Sequence, residues 1–126
     1  MGMKENVIRI KSFAFAVRIV KLYKYMCDNK KEFVMSKQLL RSATSVGALI
    51  RESEQAESRL DFIHKLGVAQ KEINETIYWL ELLRATDYLG ELEFKSVNQN
   101  ALEIIKILTS IIKSTKSNSK KLTINH

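Results

Sequence analysis

Two neighbouring stretches of this sequence carry small and apolar residues at intervals of four and three: Leu39, Ala43, Val46 and Ile50, then Phe62, Leu66, Ala69, Ile73, Thr76, Leu80 and Leu83. Such spacing places each set on one stripe of a helix and forms the seam of helices packed nearly parallel or antiparallel. The 126 residues include no proline. A chain rich in turns or edge strands usually needs some, whereas helix interiors tolerate none. The segment Gln38–Leu83 is therefore expected to be a pair of facing helices around which the rest is organised.

The flanks repeat the pattern. Phe15, Ile19, Leu22 and Met26 are spaced 4-3-4, with Phe13, Val17, Val20 and Cys27 widening the same side, and Phe94, Val97, Ala101, Ile104, Leu108 and Ile111 are spaced 3-4-3-4-3. The predicted helices cover about residues 5–28, 36–55, 58–86 and 92–115, followed by a flexible basic tail over 116–126. Ser36 is placed to cap the second helix, with Met35 stapling against Leu40, and Ser58-Arg59-Leu60-Asp61 fits a capping box for the third. Asp87–Leu92, containing Gly90, is expected to be a short loop. Short connections between amphipathic helices make neighbours antiparallel, so the expected fold is a single all-α domain, an up-down-up-down four-helix bundle over 1–126.

Two features suggest a second contact surface. The second helix carries Ser42, Ala43, Thr44, Ser45, Gly47 and Ala48, residues that let another backbone approach closely. The third carries Ile63, Ile77, Trp79 and Leu82 away from its seam, more apolar surface than one partner covers. Ser42, Ser45, Gly47, Leu49, Ile63, Ile77, Trp79 and Leu82 are accordingly the candidate oligomer interface.

Catalytic and metal chemistry find little here. Neither His64 nor His126 has a Glu three residues before it, as the di-metal carboxylate sites of helical bundles require. Cys27 is the single cysteine, with no disulfide partner, and packs as a small hydrophobe. Glu72 and Glu75 share a helix side but lack a nucleophile or glycine-rich loop nearby, and the four glycines are scattered. No enzyme activity, cofactor or metal is expected. The apolar run near the N-terminus is broken by Arg18, Lys21 and Lys24, so neither a signal peptide nor a membrane span is read and a cytoplasmic setting is expected.

Charge is the strongest chemical signal. The net +7 is unevenly spread: +6 over residues 1–31, −1 over 32–57, −1 over 58–90 and +3 over 91–126. Lys11, Arg18, Lys21 and Lys24 fall at helical spacing opposite the apolar side of the first helix, with Arg9, Lys30 and Lys31 nearby, and Lys113, Lys116, Lys120 and Lys121 extend the field at the other end. Such a face neutralises phosphates in RNA or another polyanion, or simply keeps the protein soluble. Arg9, Lys11, Arg18, Lys21, Lys24, Lys113 and Lys116 are the candidate nucleic-acid contacts, and Tyr23 and Tyr25 beside them could stack on bases or pack.

The segment LLRSATSVGALIRESEQAESRLDFIHKLGVAQKEINETIYWLELL, with SFAFAVRIVKLYKY before it and EIIKILTSIIKSTK after it, resembles the four-helix-bundle proteins encoded in intervening sequences of bacterial 23S ribosomal RNA genes. The resemblance covers about residues 12–116 and rests on RSATSVGA, DFIHKL, KEINETIYWLELL and LTSIIKSTK taken together. It implies an up-down bundle that assembles into a homopentamer, without enzymatic activity, and a role in binding nucleic acid. A related group implies an alternative, an adaptor or reverse-transcriptase accessory protein that need not touch nucleic acid itself. Leu49 stands where an Asn is common in that family and Arg51 where a small residue is common, so a polar oligomer contact made by that Asn is missing here.

Overall fold

A computed structural model describes residues 2–124, with side chains described over 2–118. Four helices follow one another: α1 (Met3–Asn29), α2 (Met35–Ser53), α3 (Arg59–Ala85) and α4 (Glu91–Ile124), with no strand among the described residues. Cross-helix bonds fix their directions. Lys4 bonds to Ser110, Lys11 pairs with Glu103, and Arg18 reaches Asn100, Ser96 and Glu93, so α4 descends as α1 rises. Arg9–Glu54, Arg41–Glu72 and Lys65–Glu52, and Gln70–Thr109 with Arg84–Glu91, show the same reversal for α1/α2, α2/α3 and α3/α4. The bundle is antiparallel throughout, closed by α1 against α4, and α2 and α3 form its most intimately packed pair.

The core lies on the seams that the 4-3 spacing predicts. Phe15, Ile19, Leu22 and Met26, Leu39, Ala43, Val46 and Ile50, Leu66 through Leu83 at the seam positions, and Val97, Ala101, Ile104, Leu108 and Ile111 are all buried. Phe62 and Phe94 at the seam ends are half-buried and pack against this cluster. Ile8, Ser12 and Leu89 join the core as well.

Several local expectations need correction. Phe13 and Val17 do not widen the buried side of α1 but stand exposed, because the helix turns that edge outward between its two neighbours. Ser36 does not cap α2. It lies inside the helix and donates to Glu32 O at 2.8 Å, while the carboxylate of Glu32 accepts from the N–H groups of Val34, Met35 and Ser36 at 3.0, 2.8 and 2.8 Å. A longer side chain entering from three residues before the first helical residue reaches three free donors where a serine reaches one. The Ser58 cap is present: its hydroxyl accepts from Asp61 N at 3.0 Å, and Asp61 returns a carboxylate oxygen to Glu57 N at 3.2 Å. The fourth helix does not stop near residue 115 but continues to Ile124, since no proline or glycine interrupts it. The side chains of Lys120 and Lys121, and His126 as a whole, lie outside the described residues.

The tight bends are made without glycine. Gly90 has no positive φ; instead Lys31 (φ 54°) and Asp87 (φ 66°) take the left-handed conformation just after α1 and α3. Each lets a following N–H return to an earlier carbonyl, Glu32 N to Met26 O at 3.0 Å and Leu89 N to Leu83 O at 3.1 Å. A β-carbon in that region is strained by about 1–2 kcal/mol, of which glycine returns a part to its greater freedom when unfolded. Lys31→Gly is therefore expected to stabilise the fold by about 0.5–1 kcal/mol, seen as a rise of a few degrees in thermal midpoint; an unchanged or lower midpoint would contradict this account of the bend.

Candidate nucleic-acid interface

The candidate cations separate into two kinds once the bundle is assembled. Arg9 forms a 3.1 Å ion pair with Glu54 and Lys11 a 2.5 Å pair with Glu103. Arg18 donates to Asn100 Oδ1 at 2.7 Å and Ser96 Oγ at 2.9 Å, and lies 3.5 Å from Glu93. These three tie α1 to α2 and α4. Lys21 and Lys24, by contrast, are exposed and have no ion-pair partner among the described residues, and the same holds for Lys30 and Lys31 beyond the end of α1. Exposed Asp28 is the one acid within that stretch of α1 and its exit.

Lys113 and Lys116 are also exposed but belong to the opposite end of the molecule. Lys4 contacts Ser110, which fixes that end; Lys24 lies roughly 20 residues further along α1, hence about 30 Å away at 1.5 Å per residue. The continuous basic stripe read from the helical spacing becomes two basic poles with a neutralised waist between them.

At the Lys24 pole the exit of α1 and the α3–α4 corner enclose a groove of about 680 Å³. Lys21, Lys30, Tyr25 and Tyr88 line it, as do Arg18 with its partner Glu93, and Asp87. Tyr25 is 47 % exposed, whereas Tyr88 is half-buried and packed against the core. Spacing on α1 brings Lys21 and Tyr25 to one face, but the contribution of Tyr88 depends on the fold of a distant corner, and helical periodicity could not reveal it. A groove of about 590 Å³ at the other pole has Glu5 and Glu54 in its wall and neither Lys nor Arg.

The candidate oligomer residues also separate. Ser42 is fully buried inside the subunit, with its hydroxyl 2.9 Å from Thr76 Oγ1 and donating to Leu39 O, so it is removed from any outer surface. Its small size serves the close α2–α3 packing instead. Leu49, Ile77 and Trp79 are half-buried against the core, and Ser45, Gly47, Ile63 and Leu82 are half-buried too. The sequence did not single out the ridge of Ile10, Phe13 and Val17 on α1, exposed by 66 %, 59 % and 39 %. It borders a shallow groove of Ala16, Thr44, Gly47 and Ala48, and Arg51, one of the two positions that depart from the family pattern, stands 5.6 Å from the Phe13 ring centre.

Several other titratable groups have structural partners. Arg41 bridges Glu72 and Glu75. The Trp79 indole N–H, with Arg41, holds the Glu75 carboxyl below its ordinary range against the opposing effect of burial, which keeps it ionised rather than ready to donate a proton. A hydrogen bond to Cys27 raises Tyr23. Among the described residues no three His, Cys, Asp or Glu side chains come together as a metal site, and no helix is long and apolar enough to cross a membrane.

Comparison with known proteins places this geometry in context. Residues 4–110 match the family model described as 23S rRNA-intervening sequence protein. The chain is also similar to a crystal structure of a protein of unknown function from the S23 ribosomal protein family of Bacteroides thetaiotaomicron, with 60 % identity and a TM-score of 0.87 over 88 % of this chain and 99 % of that one. No curated protein matches the sequence.

Proposed function

The chain belongs to the 23S rRNA-intervening sequence protein family, and from that premise we propose that it is a non-catalytic, homo-oligomeric bundle that binds RNA through the basic pole at the exit of α1. The observation that carries this is the state of Lys21, Lys24, Lys30 and Lys31, four exposed cations without ion-pair partners among the described residues, while Arg9, Lys11 and Arg18 are spent within the bundle. Cations free of carboxylates are the ones able to displace counterions from phosphates. Assembly into an oligomer, a pentamer by family resemblance, is supported by the exposed Ile10–Phe13–Val17 ridge, and it would multiply the number of such poles on one particle.

The test follows from the same division. Reversing Arg18 would break the α1–α4 attachment and confuse binding with stability, so the informative variant is Lys21→Glu with Lys24→Glu. Affinity for structured RNA is expected to fall about tenfold or more at 0.1 M salt, and the slope of log affinity against log salt to flatten by about 2. Light scattering should find the oligomer unchanged. An affinity indifferent to salt, or to this double reversal, would sink the proposal.

The ridge favours a second reading. An exposed apolar strip beside a shallow groove also suits a protein partner, as in an adaptor or reverse-transcriptase accessory that does not itself hold nucleic acid. Under that reading RNA retention is absent from the start and a protein co-purifies instead.

A further inference from the structure

We infer that the groove between the exit of α1 and the α3–α4 corner takes one unpaired nucleotide of an RNA strand, its base against Tyr25 and Tyr88 and its phosphate toward Lys21 and Lys30. This rests on the RNA-binding reading above and adds to it a preference for single-stranded over duplex RNA.

Four observations converge. The volume of about 680 Å³ lies within the range of small-ligand sites, about 300–1,000 Å³. The two tyrosines differ usefully: Tyr88 packs against the core and forms a fixed wall, while Tyr25 on α1 keeps nearly half its surface open and can close over a base. Every base has a π-face, and stacking of this kind contributes about 1–3 kcal/mol per base. Charge in the groove favours an anion, because Glu93 is held by Arg18, which leaves Lys21 and Lys30 opposed by Asp87 alone. The amino end of α4, beginning after Gly90, borders the same space, and the acids of its first turn are paired, Glu91 with Arg84 and Glu93 with Arg18, so the positive end of the helix dipole adds to the field. Bases within a duplex are already stacked and paired and would have to leave the helix to enter, so the groove selects strands whose bases are free. The corresponding groove at the opposite pole, walled by Glu5 and Glu54, lacks these features.

The test uses the full chain and two fluorescently labelled RNAs of equal length, one single-stranded and one a blunt duplex, titrated by anisotropy at 0.1 M salt. Tyr25→Ala is expected to weaken the single strand by about 5- to 100-fold and leave the duplex unchanged. Tyr78→Ala, which removes an exposed tyrosine of α3 outside the groove, should leave both affinities unchanged. Asp87→Asn, which tolerates the left-handed backbone and removes the opposing acid, should tighten the single strand by about two- to fivefold. Should Tyr25→Ala and Asp87→Asn leave single-strand affinity unchanged, or alter both RNAs equally, the groove inference falls while a loss caused by Lys21→Glu with Lys24→Glu keeps the basic-pole reading standing. If the lysine reversal is also without effect, both fall.

Discussion

Glu32→Ala is expected to lower stability by about 2–4 kcal/mol and the thermal midpoint by about 8–15 °C at neutral pH, although the residue lies outside every helix. Its carboxylate is buried and closes the first turn of α2 by accepting from three backbone N–H groups. Removing it leaves three donors without their acceptor, the Ser36 N–H buried and the other two part-buried, and a stranded buried donor costs more than an average hydrogen bond contributes. The same contacts predict a pH dependence. Burial pushes the Glu32 carboxyl up, but the N–H groups of Met35 and Ser36, the Ser36 hydroxyl and the Val34 N–H together hold it below its ordinary value of 4.5. With the folded value below the unfolded one, the contribution is fully present above pH 4.5 and disappears as pH falls through the depressed value. Glu32→Gln, which resembles the protonated side chain, should therefore trail the parent protein by several degrees at pH 7 and nearly match it at the acid end. Calorimetry of both proteins from pH 7 downward checks this, and a gap that stayed constant across the range would refute the assignment.

The second large effect lies in the seam itself. Leu80 is fully excluded from solvent on α3, and its neighbours belong to a single continuous core. Truncation to Ala removes the buried methyl groups and leaves a cavity that the four closely packed helices cannot collapse around, so Leu80→Ala should lose about 3–5 kcal/mol and roughly 12–20 °C. Leu60→Ala, at a leucine of the same helix that is 80 % exposed, should change stability by less than about 0.5 kcal/mol. Chemical denaturation of the pair tests whether burial rather than helix membership sets the cost; comparable losses would show that the core is arranged differently.

That the seam positions were legible in the sequence and the neighbours of the surface groups were not has one physical cause. A helical stripe is a property of one segment and can be read from its own spacing, as Leu66, Ala69, Ile73, Thr76, Leu80 and Leu83 illustrate. Which edge of a stripe finds a partner depends on the rotation of the neighbouring helix, and no single segment contains that information. Phe13 and Val17 looked like extensions of the buried side of α1 yet face outward. Arg18 and Lys11 looked like free cations until α4 brought Glu93, Asn100 and Glu103 alongside. Ser42 looked like a site of close approach, which it is, although the approaching helix is α3 of the same chain. The candidate groove was half legible: Lys21 and Tyr25 share a helix face, while Tyr88 and Asp87 arrive from a corner some sixty residues away, a juxtaposition fixed only by tertiary structure.

The two left-handed bends have a meaning beyond geometry. Glycine would suit Lys31 and Asp87 better than the residues present, yet both sites carry charged side chains at the same end of the molecule, one on the rim of the basic pole and one in the wall of its groove. A lineage that no longer needed this pole would be expected to drift to glycine at residue 31 first, since the fold would gain from the change. The identity of that one residue across relatives then acts as an evolutionary gauge, with lysine or arginine marking chains in which the charge is still under selection and glycine marking those released from it.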